Sequence, residues 1–270
     1  MLRLNRRSKA LLGVIVGIVL VFMYVPLMLV MLNAFNNSRI AAWPVEDFSL
    51  RWWVVAFTSE PIRAAVLNSV IVGLGATAVA LVLGTLSAFA LSRYSFYGKQ
   101  TVNLLIVLPI ALPGVVTGVA FSNTFNSILD PIGVQVGYLG IIIAHGTFCI
   151  VMVFNNVFAR LRRMSPNLQE ASMDLGAGLG QTFRLVTFPQ FRTSFVAGGL
   201  LAFALSFDEV VVSIFTAPPG VDTLPLWFLN TMARPNEGNL VNVVATVLIL
   251  FSFIPVYISQ RLTRAEEEER

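Results

Sequence analysis

The chain has 270 residues, of which 56% are hydrophobic and only 12% charged, with a net charge of +4 and a mean hydropathy of +0.79. A soluble domain carries about 25% charged residues, so this composition indicates a protein embedded in a bilayer and argues against nucleic-acid binding. One cysteine and one histidine leave no basis for a disulfide framework or a zinc site and argue against a membrane enzyme.

Six apolar runs reach the length of about 20 residues that a transmembrane helix needs. They lie at about 11–33, 64–92, 101–126, 139–160, 195–217 and 240–261. We therefore predict an all-α integral membrane protein with one six-span domain at 11–262 and a short tail at 263–270. The first run is too long for a signal peptide, so residues 1–10 are expected to remain attached to a retained first helix.

The positive charges predict the orientation of these spans. Of the 18 Lys and Arg residues, four (Arg39, Arg51, Arg63 and Arg234) fall on one side of the predicted topology and the other fourteen on the side of the termini. Cytoplasmic loops carry the excess of Lys and Arg, so both termini are predicted to be cytoplasmic. The opposite loop, 34–63, contains Trp43, Trp52 and Trp53 and is predicted to form an amphipathic segment at the membrane interface.

The cytoplasmic loop at 161–194 contains a spaced motif. Ser165-Pro166 is typical of a helix start, Gly176-Ala177-Gly178 of a tight turn, and a second short helix is expected from 179 to 187, before Pro189. The motif consists of Glu170, Ala171, Ser172 and Gly176, followed after nine residues by Val186-Thr187-Phe188-Pro189.

This spacing resembles the EAA-x3-G-x9-I-x-L-P loop of binding-protein-dependent ABC importer permeases, with Ser172, Val186 and Phe188 in place of Ala, Ile and Leu. The resemblance implies the type I importer fold and coupling helices that dock a separate nucleotide-binding ATPase. The residues implied in coupling are Glu170, Ala171, Ser172, Asp174, Gly176 and Pro189. It also implies a second permease subunit, identical or homologous, an external solute-binding protein and a place in the bacterial inner membrane.

Nucleotide binding by this chain itself is not expected. No G-x-x-x-x-G-K-[ST] motif occurs in the sequence; the nearest fragment is Gly98-Lys99-Gln100. ATP and Mg²⁺ are therefore expected in the partner ATPase, and no cofactor is expected in this chain.

Segments outside the loop resemble the spermidine/putrescine branch of these permeases. They are Leu108-Pro109, Leu112-Pro113-Gly114, Phe203 to Glu209, Thr223 to Leu226 and Asn242 to Thr246. The resemblance implies import of a polyamine, with another small amine or an amino-acid-like solute as the alternative. A secondary transporter or channel is a further alternative, which the lack of an internal repeat and the few ionisable residues within the spans argue against.

Two carboxylates, Asp208 and Glu209, fall inside the predicted fifth span, where a charge costs a few kcal/mol and calls for a cavity, a partner or a counter-ion. Attraction of a cationic solute is one role for them, and a structural hydrogen bond between permease subunits is the other. The translocation-path candidates are Asp208, Glu209, Ser206, Phe207 and Trp227, with the rings offering cation–π contacts or simply packing. Gly199, Ala202, Ser206 and Glu209 share one helical face at three- and four-residue spacing, which suits close helix packing or a groove.

Three further features of the spans predict local structure. His145 is interpreted as the donor or acceptor of a helix-to-helix hydrogen bond rather than as a ligand or proton relay. Pro109 and Pro113 are predicted to bend the third span, because each removes a backbone hydrogen bond. Cys149 is predicted to be a small buried hydrophobe.

Overall fold

The structure, a computed structural model, describes residues 5–38, 45, 47–134, 137–165, 167–234 and 237–252. Pro166, residues 1–4, the predicted end of the sixth span after Ser252 and the tail at 263–270 lie outside these residues.

Among the described residues, the regular elements are helices, and the β pairing recorded there is one isolated antiparallel bridge between Asn36 and Phe48. The helices are α1 Arg6–Asn33, α2 Arg51–Thr58, α3 Glu60–Arg93, α4 Lys99–Ala111, α5 Gly114–Thr124, α6 Gly137–Leu161, α7 Asn167–Asp174, α8 Leu179–Thr182, α9 Phe188–Phe207, α10 Val211–Thr216, α11 Leu224–Met232 and α12 Gly238–Ser252. A π-helical turn, Phe125–Leu129, and a 3-10 turn, Asp130–Ile132, extend α5. A second π-helical turn, Phe183–Thr187, joins α8 to α9.

Three helices, α1, α3 and α6, are long and apolar enough to cross a membrane, and the bent pair of α4 with residues 114–132 would make a fourth span. They match the first four predicted spans in position. The helix α12 covers the start of the predicted sixth span. The prediction of an all-α protein with several membrane spans is thus confirmed, whereas the described residues do not establish the count of six.

The third predicted span is not one continuous helix. α4 and α5 meet at an angle of 102° across a break at Leu112 and Pro113. Leu112 has extended backbone angles, φ −81° and ψ 139°, because the residue before a proline is driven out of the helical region. The predicted bend is confirmed, but the element is a broken span or a re-entrant pair rather than a kinked rod.

The fifth predicted span, 195–217, also differs from the prediction. α9 starts earlier, at Phe188, and ends at Phe207, and a separate short helix, α10, follows from Val211. The second loop helix does not stop before Pro189, because a π-helical turn at Phe183–Thr187 carries the helical path into α9. Gln190 of α9 donates from Nε2 to Val186 O of that turn at 3.0 Å, which ties the turn to the start of α9.

The chain divides into two compact units, of which the second spans 63–227. Its core is the contact between α6 and α9. A Cβ at Gly198 would lie 3.1 Å from Val153 Cα, so α6 and α9 approach closely there. Of the small residues that the sequence singled out, Gly199 lies against Leu81 of α3, 3.2 Å from where its Cβ would be, and Ala202 is fully buried. Cys149 is buried as predicted, and its Sγ donates to Ala202 O at 3.3 Å.

The first unit combines the described residues up to 62 with those from 228 to 252. Trp52 of α2 is buried, and its Nε1 donates to Ser38 O at 3.1 Å; Asn239 Nδ2 donates to the same carbonyl at 2.7 Å. Val54 and Phe57 lie exposed on the same helix. α2 therefore buries one aromatic face and presents an apolar edge outward, as an amphipathic interfacial helix would.

Candidate functional site

The first candidate site is the loop between α6 and α9, where Gly176 ends α7. Gly176 has φ +86°, its N–H donates to Met173 O at 2.9 Å, and the N–H of Ala177 donates to Ser172 O at 3.1 Å. These two bonds form a Schellman motif, whose left-handed residue favours glycine because side chains are strained there. The glycine of the sequence motif is thus the residue that reverses the chain after α7.

Side-chain hydrogen bonds through hydroxyl groups join α7 to the segment that follows the glycine turn, α8 with the π-helical turn at Phe183–Thr187. Ser172 Oγ lies 3.1 Å from Thr182 Oγ1, and Gln169 Nε2 donates to Thr187 Oγ1 at 2.7 Å. Both threonines are buried. Ser172, which replaces the alanine of the family motif, therefore adds a bond between α7 and α8 that alanine could not make.

The tip of the loop is apolar and exposed. Leu175 and Leu179, on either side of the glycine turn, expose 90% and 80% of their surface. Glu170 and Asp174 are exposed on α7, and neither forms an ion pair with any residue in the described ranges. Two leucines beside two unpaired carboxylates are typical of a surface that a partner protein covers.

The second candidate site is the break between α9 and α10. Asp208 ends α9, and Glu209 Oε1 accepts the backbone N–H of Val212 at 2.9 Å. This bond satisfies one of the free N–H groups at the start of α10, as an N-terminal capping side chain does. One oxygen of Glu209 is therefore committed to holding the broken helix.

His145 of α6 bridges the same break. Its Nδ1 lies 2.8 Å from Ser206 Oγ in α9 and its Nε2 lies 3.1 Å from Ser213 Oγ in α10. Ser213 Oγ also donates to Glu209 O at 2.9 Å, so its single proton is used and it accepts from Nε2–H. Nδ1 then accepts from the Ser206 hydroxyl. The interpretation of His145 as a helix-to-helix hydrogen bond is confirmed, with both helices bound by one ring.

Asp208 differs from its neighbour. Its side chain is exposed and has no hydrogen bond or ion pair within the part of the chain that the structure describes. It lines an open groove of about 300 Å³ together with Met152, Leu201, Ala204, Leu205 and Glu209. The groove is therefore lined by four apolar side chains and two carboxylates, and its lining contains no basic residue.

Comparison with known proteins decides the family. A sequence model described as the binding-protein-dependent transport system inner membrane component matches residues 80–265. The chain belongs to this family. It is accordingly a membrane permease subunit and not an enzyme, as the motif in the loop predicted.

Named relatives match over most of the permease. The spermidine/putrescine transport system permease protein PotC of Haemophilus influenzae is 32% identical over 92% of this chain and 94% of its own. The putrescine transport system permease protein PotI of Escherichia coli K12 is 31% identical over 92% of this chain and 89% of its own.

A solved structure also matches the permease. It is a bacterial ABC transporter involved in the import of the acidic polysaccharide alginate, and the matched chain has a TM-score of 0.70. The match is 16% identical in sequence and covers 98% of this chain and 99% of that one. This likeness shows that the permease has the fold of an ABC transporter subunit.

The other predicted path residues lie away from the groove. Ser206 is only 4% exposed and bonds to His145, and Trp227 is buried in α11. Phe207 is half-buried, with its ring 5.7 Å from that of Phe203. Path roles for these three stay predictions, and their geometry favours packing. Sequence reasoning missed Ser213, because no proline or glycine marks the helix break that brings it to His145.

Proposed function

We propose that this permease is one transmembrane subunit of an ATP-driven importer that moves a polyamine across the bacterial inner membrane. The observation that carries the substrate class is the groove at the α9–α10 break, with the unpaired carboxylate of Asp208 beside an apolar wall. The named relatives at 32% and 31% identity support the same class, because their names include spermidine and putrescine.

The chemistry of the groove favours a polyamine over the alternatives. Ammonium groups are attracted to carboxylates, and the methylene chain between them suits the side chains of Met152, Leu201 and Leu205. An amino-acid-like solute carries a carboxylate of its own, which two acids with no neighbouring base would repel. An alkyl polyamine carries no carboxylate, so this electrostatic repulsion does not arise.

For the arrangement in the membrane, we propose six spans with both termini in the cytoplasm. The support is the bias of Lys and Arg towards that side. The helices α1, α3 and α6 and the bent α4–α5 pair account for four spans. The helix α9 with its break would be the fifth, and α12 with the residues after it the sixth.

For energy coupling, we propose that the loop at 161–194 docks a separate ATPase that binds ATP and Mg²⁺. Glu170, Ala171, Ser172, Asp174, Gly176 and Pro189 are the residues assigned to it. The exposed Leu175 and Leu179 at its tip support a protein partner, because burying two leucines contributes roughly 3–6 kcal/mol. A second permease and a solute-binding protein complete the proposed assembly.

Reconstitution tests this function. The permease, its co-purified ATPase and second permease would be placed in vesicles, the solute-binding protein added outside, and uptake of radiolabelled spermidine followed with ATP inside. We expect uptake that needs both ATP and the binding protein. Uptake without the ATPase would indicate a secondary transporter, and ATP-driven uptake of an amino acid but not of spermidine would assign the substrate to the alternative class.

A further inference from the structure

A second, open cavity lies near the C-terminal end of α6, where its residue Asn155 follows Met152 of the first groove by three positions. It has a volume of about 340 Å³ and is lined by Asn155, Asn156, Ala159, Arg160, Arg163 and Ser194. Five of these six residues are polar or charged, and none is acidic. Such a lining repels a cationic solute, because two guanidinium groups lie in it and no carboxylate does.

The donors in this cavity are largely unoccupied. Arg160 Nε donates to Gln190 O at 2.8 Å, which orients the guanidinium and leaves its terminal nitrogens without a partner among the described residues. Arg163 has no ion pair, and the side chains of Asn155 and Ser194 have no bond, to any residue in the described ranges. Two guanidinium groups with adjacent amide and hydroxyl donors match the oxygens of a phosphate.

The depth of these donors matches a lipid rather than a soluble ion. Arg160 is the first charged residue of α6 after an apolar run from Gly137, so it lies where the span leaves the hydrocarbon. Asn155 precedes it by five residues, roughly 7.5 Å along the helix axis. The headgroup layer is about as thick as that, so the amide would meet the glycerol esters while the guanidinium meets the phosphate.

We propose that this cavity binds the phosphate of an anionic phospholipid, with Arg160 and Arg163 on the phosphate and Asn155 and Ser194 below it. Basic cavities between transmembrane helices are suited to such headgroups. Arg163 and Ser194 lie near the two ends of the loop at 161–194 and are not among the residues assigned to ATPase coupling. The test measures lipid binding instead of transport, so this proposal and the proposed function can fail separately.

The experiment is native mass spectrometry of the purified transporter complex in detergent, titrated with dioleoylphosphatidylglycerol or dioleoylphosphatidylcholine. We expect preferential binding of phosphatidylglycerol. The double variant Arg160→Gln/Arg163→Gln should weaken it about 25-fold, at about fivefold per charge. Arg163→Gln alone keeps the Arg160–Gln190 bond and should cost about fivefold. Arg192→Gln removes an exposed arginine outside the cavity and should change affinity by less than about twofold.

Several results would overturn the lipid assignment. An equal loss in Arg192→Gln would mean a diffuse effect of surface charge. Full competition by inorganic phosphate at millimolar concentration would mean that the cavity takes a soluble anion. Absence of bound lipid from the assembled complex would mean that a partner protein covers these arginines.

Discussion

The substitution Asp208→Asn separates a role in attracting the solute from a role in holding the structure. Asparagine keeps the size and hydrogen-bonding capacity of the side chain and removes only its charge. Asp208 is exposed on the groove and makes no bond in the described part of the chain, so no structural contact is lost. Any defect in uptake would therefore come from the charge.

The expected magnitude follows from the exposure of Asp208. A carboxylate about 4 Å from an ammonium group contributes about 1 kcal/mol in water and about 4 kcal/mol at an effective dielectric of about 20. Screening at an exposed site favours the lower end, about 1–2 kcal/mol. Because about 1.4 kcal/mol is a tenfold change, KM for spermidine uptake should rise about 5- to 30-fold.

The assay is uptake by the reconstituted complex, with ATPase activity and subunit composition measured on the same sample. Glu209→Gln is the matched control, because glutamine can still accept the Val212 N–H and keep the start of α10. We expect its KM to rise less than that of Asp208→Asn, with ATPase coupling retained in both. Normal uptake in Asp208→Asn, or loss of the second permease from the complex, would refute the role in attracting a cation.

Three further predictions follow from the same geometry. Gly176→Ala places a side chain in the left-handed backbone region at a cost of about 1–2 kcal/mol, so less ATPase should co-purify with this variant. Gly180→Ala is the control, because its Cβ would meet nothing within 4 Å, and it should bind the ATPase normally. Equal ATPase binding by the two variants would exclude a docking role for the turn. His145→Ala leaves the hydroxyls of Ser206 and Ser213 without their shared partner, so the unfolding temperature of the purified complex should fall. His145→Gln should recover part of that loss. An unchanged unfolding temperature in His145→Ala would contradict a stabilising role for the hydrogen bonds of His145. With the buried native cysteine replaced, an impermeant thiol reagent should label Asp130→Cys from outside and Leu179→Cys only after permeabilisation, and the reverse pattern would invert the topology.

Much of the architecture could be predicted from the sequence because it depends on local composition. Apolar runs of membrane-spanning length predicted α1, α3 and α6, since a span satisfies its own backbone and needs only an apolar exterior. The glycine turn at Gly176 was equally local, because one residue type suits its positive φ. The spacing of the loop motif identified the family for the same reason.

The helix break at Asp208 and Glu209 was decided by the tertiary structure. The sequence there continues an apolar span with no proline or glycine, so periodicity predicted one helix through 195–217. The helix α9 instead ends at Phe207. His145 of α6 bonds to a serine in α9 and to one in α10, and Glu209 accepts a backbone N–H at the start of α10. These partners come from distant or newly separated parts of the chain, so no local pattern could reveal them. The sequence by itself determined that the chain spans the membrane and which family it joins. The packing of α6 on α9 and α10 decided where the fifth predicted span breaks, because His145 bonds to Ser206 and Ser213, which lie more than 60 positions away along the chain.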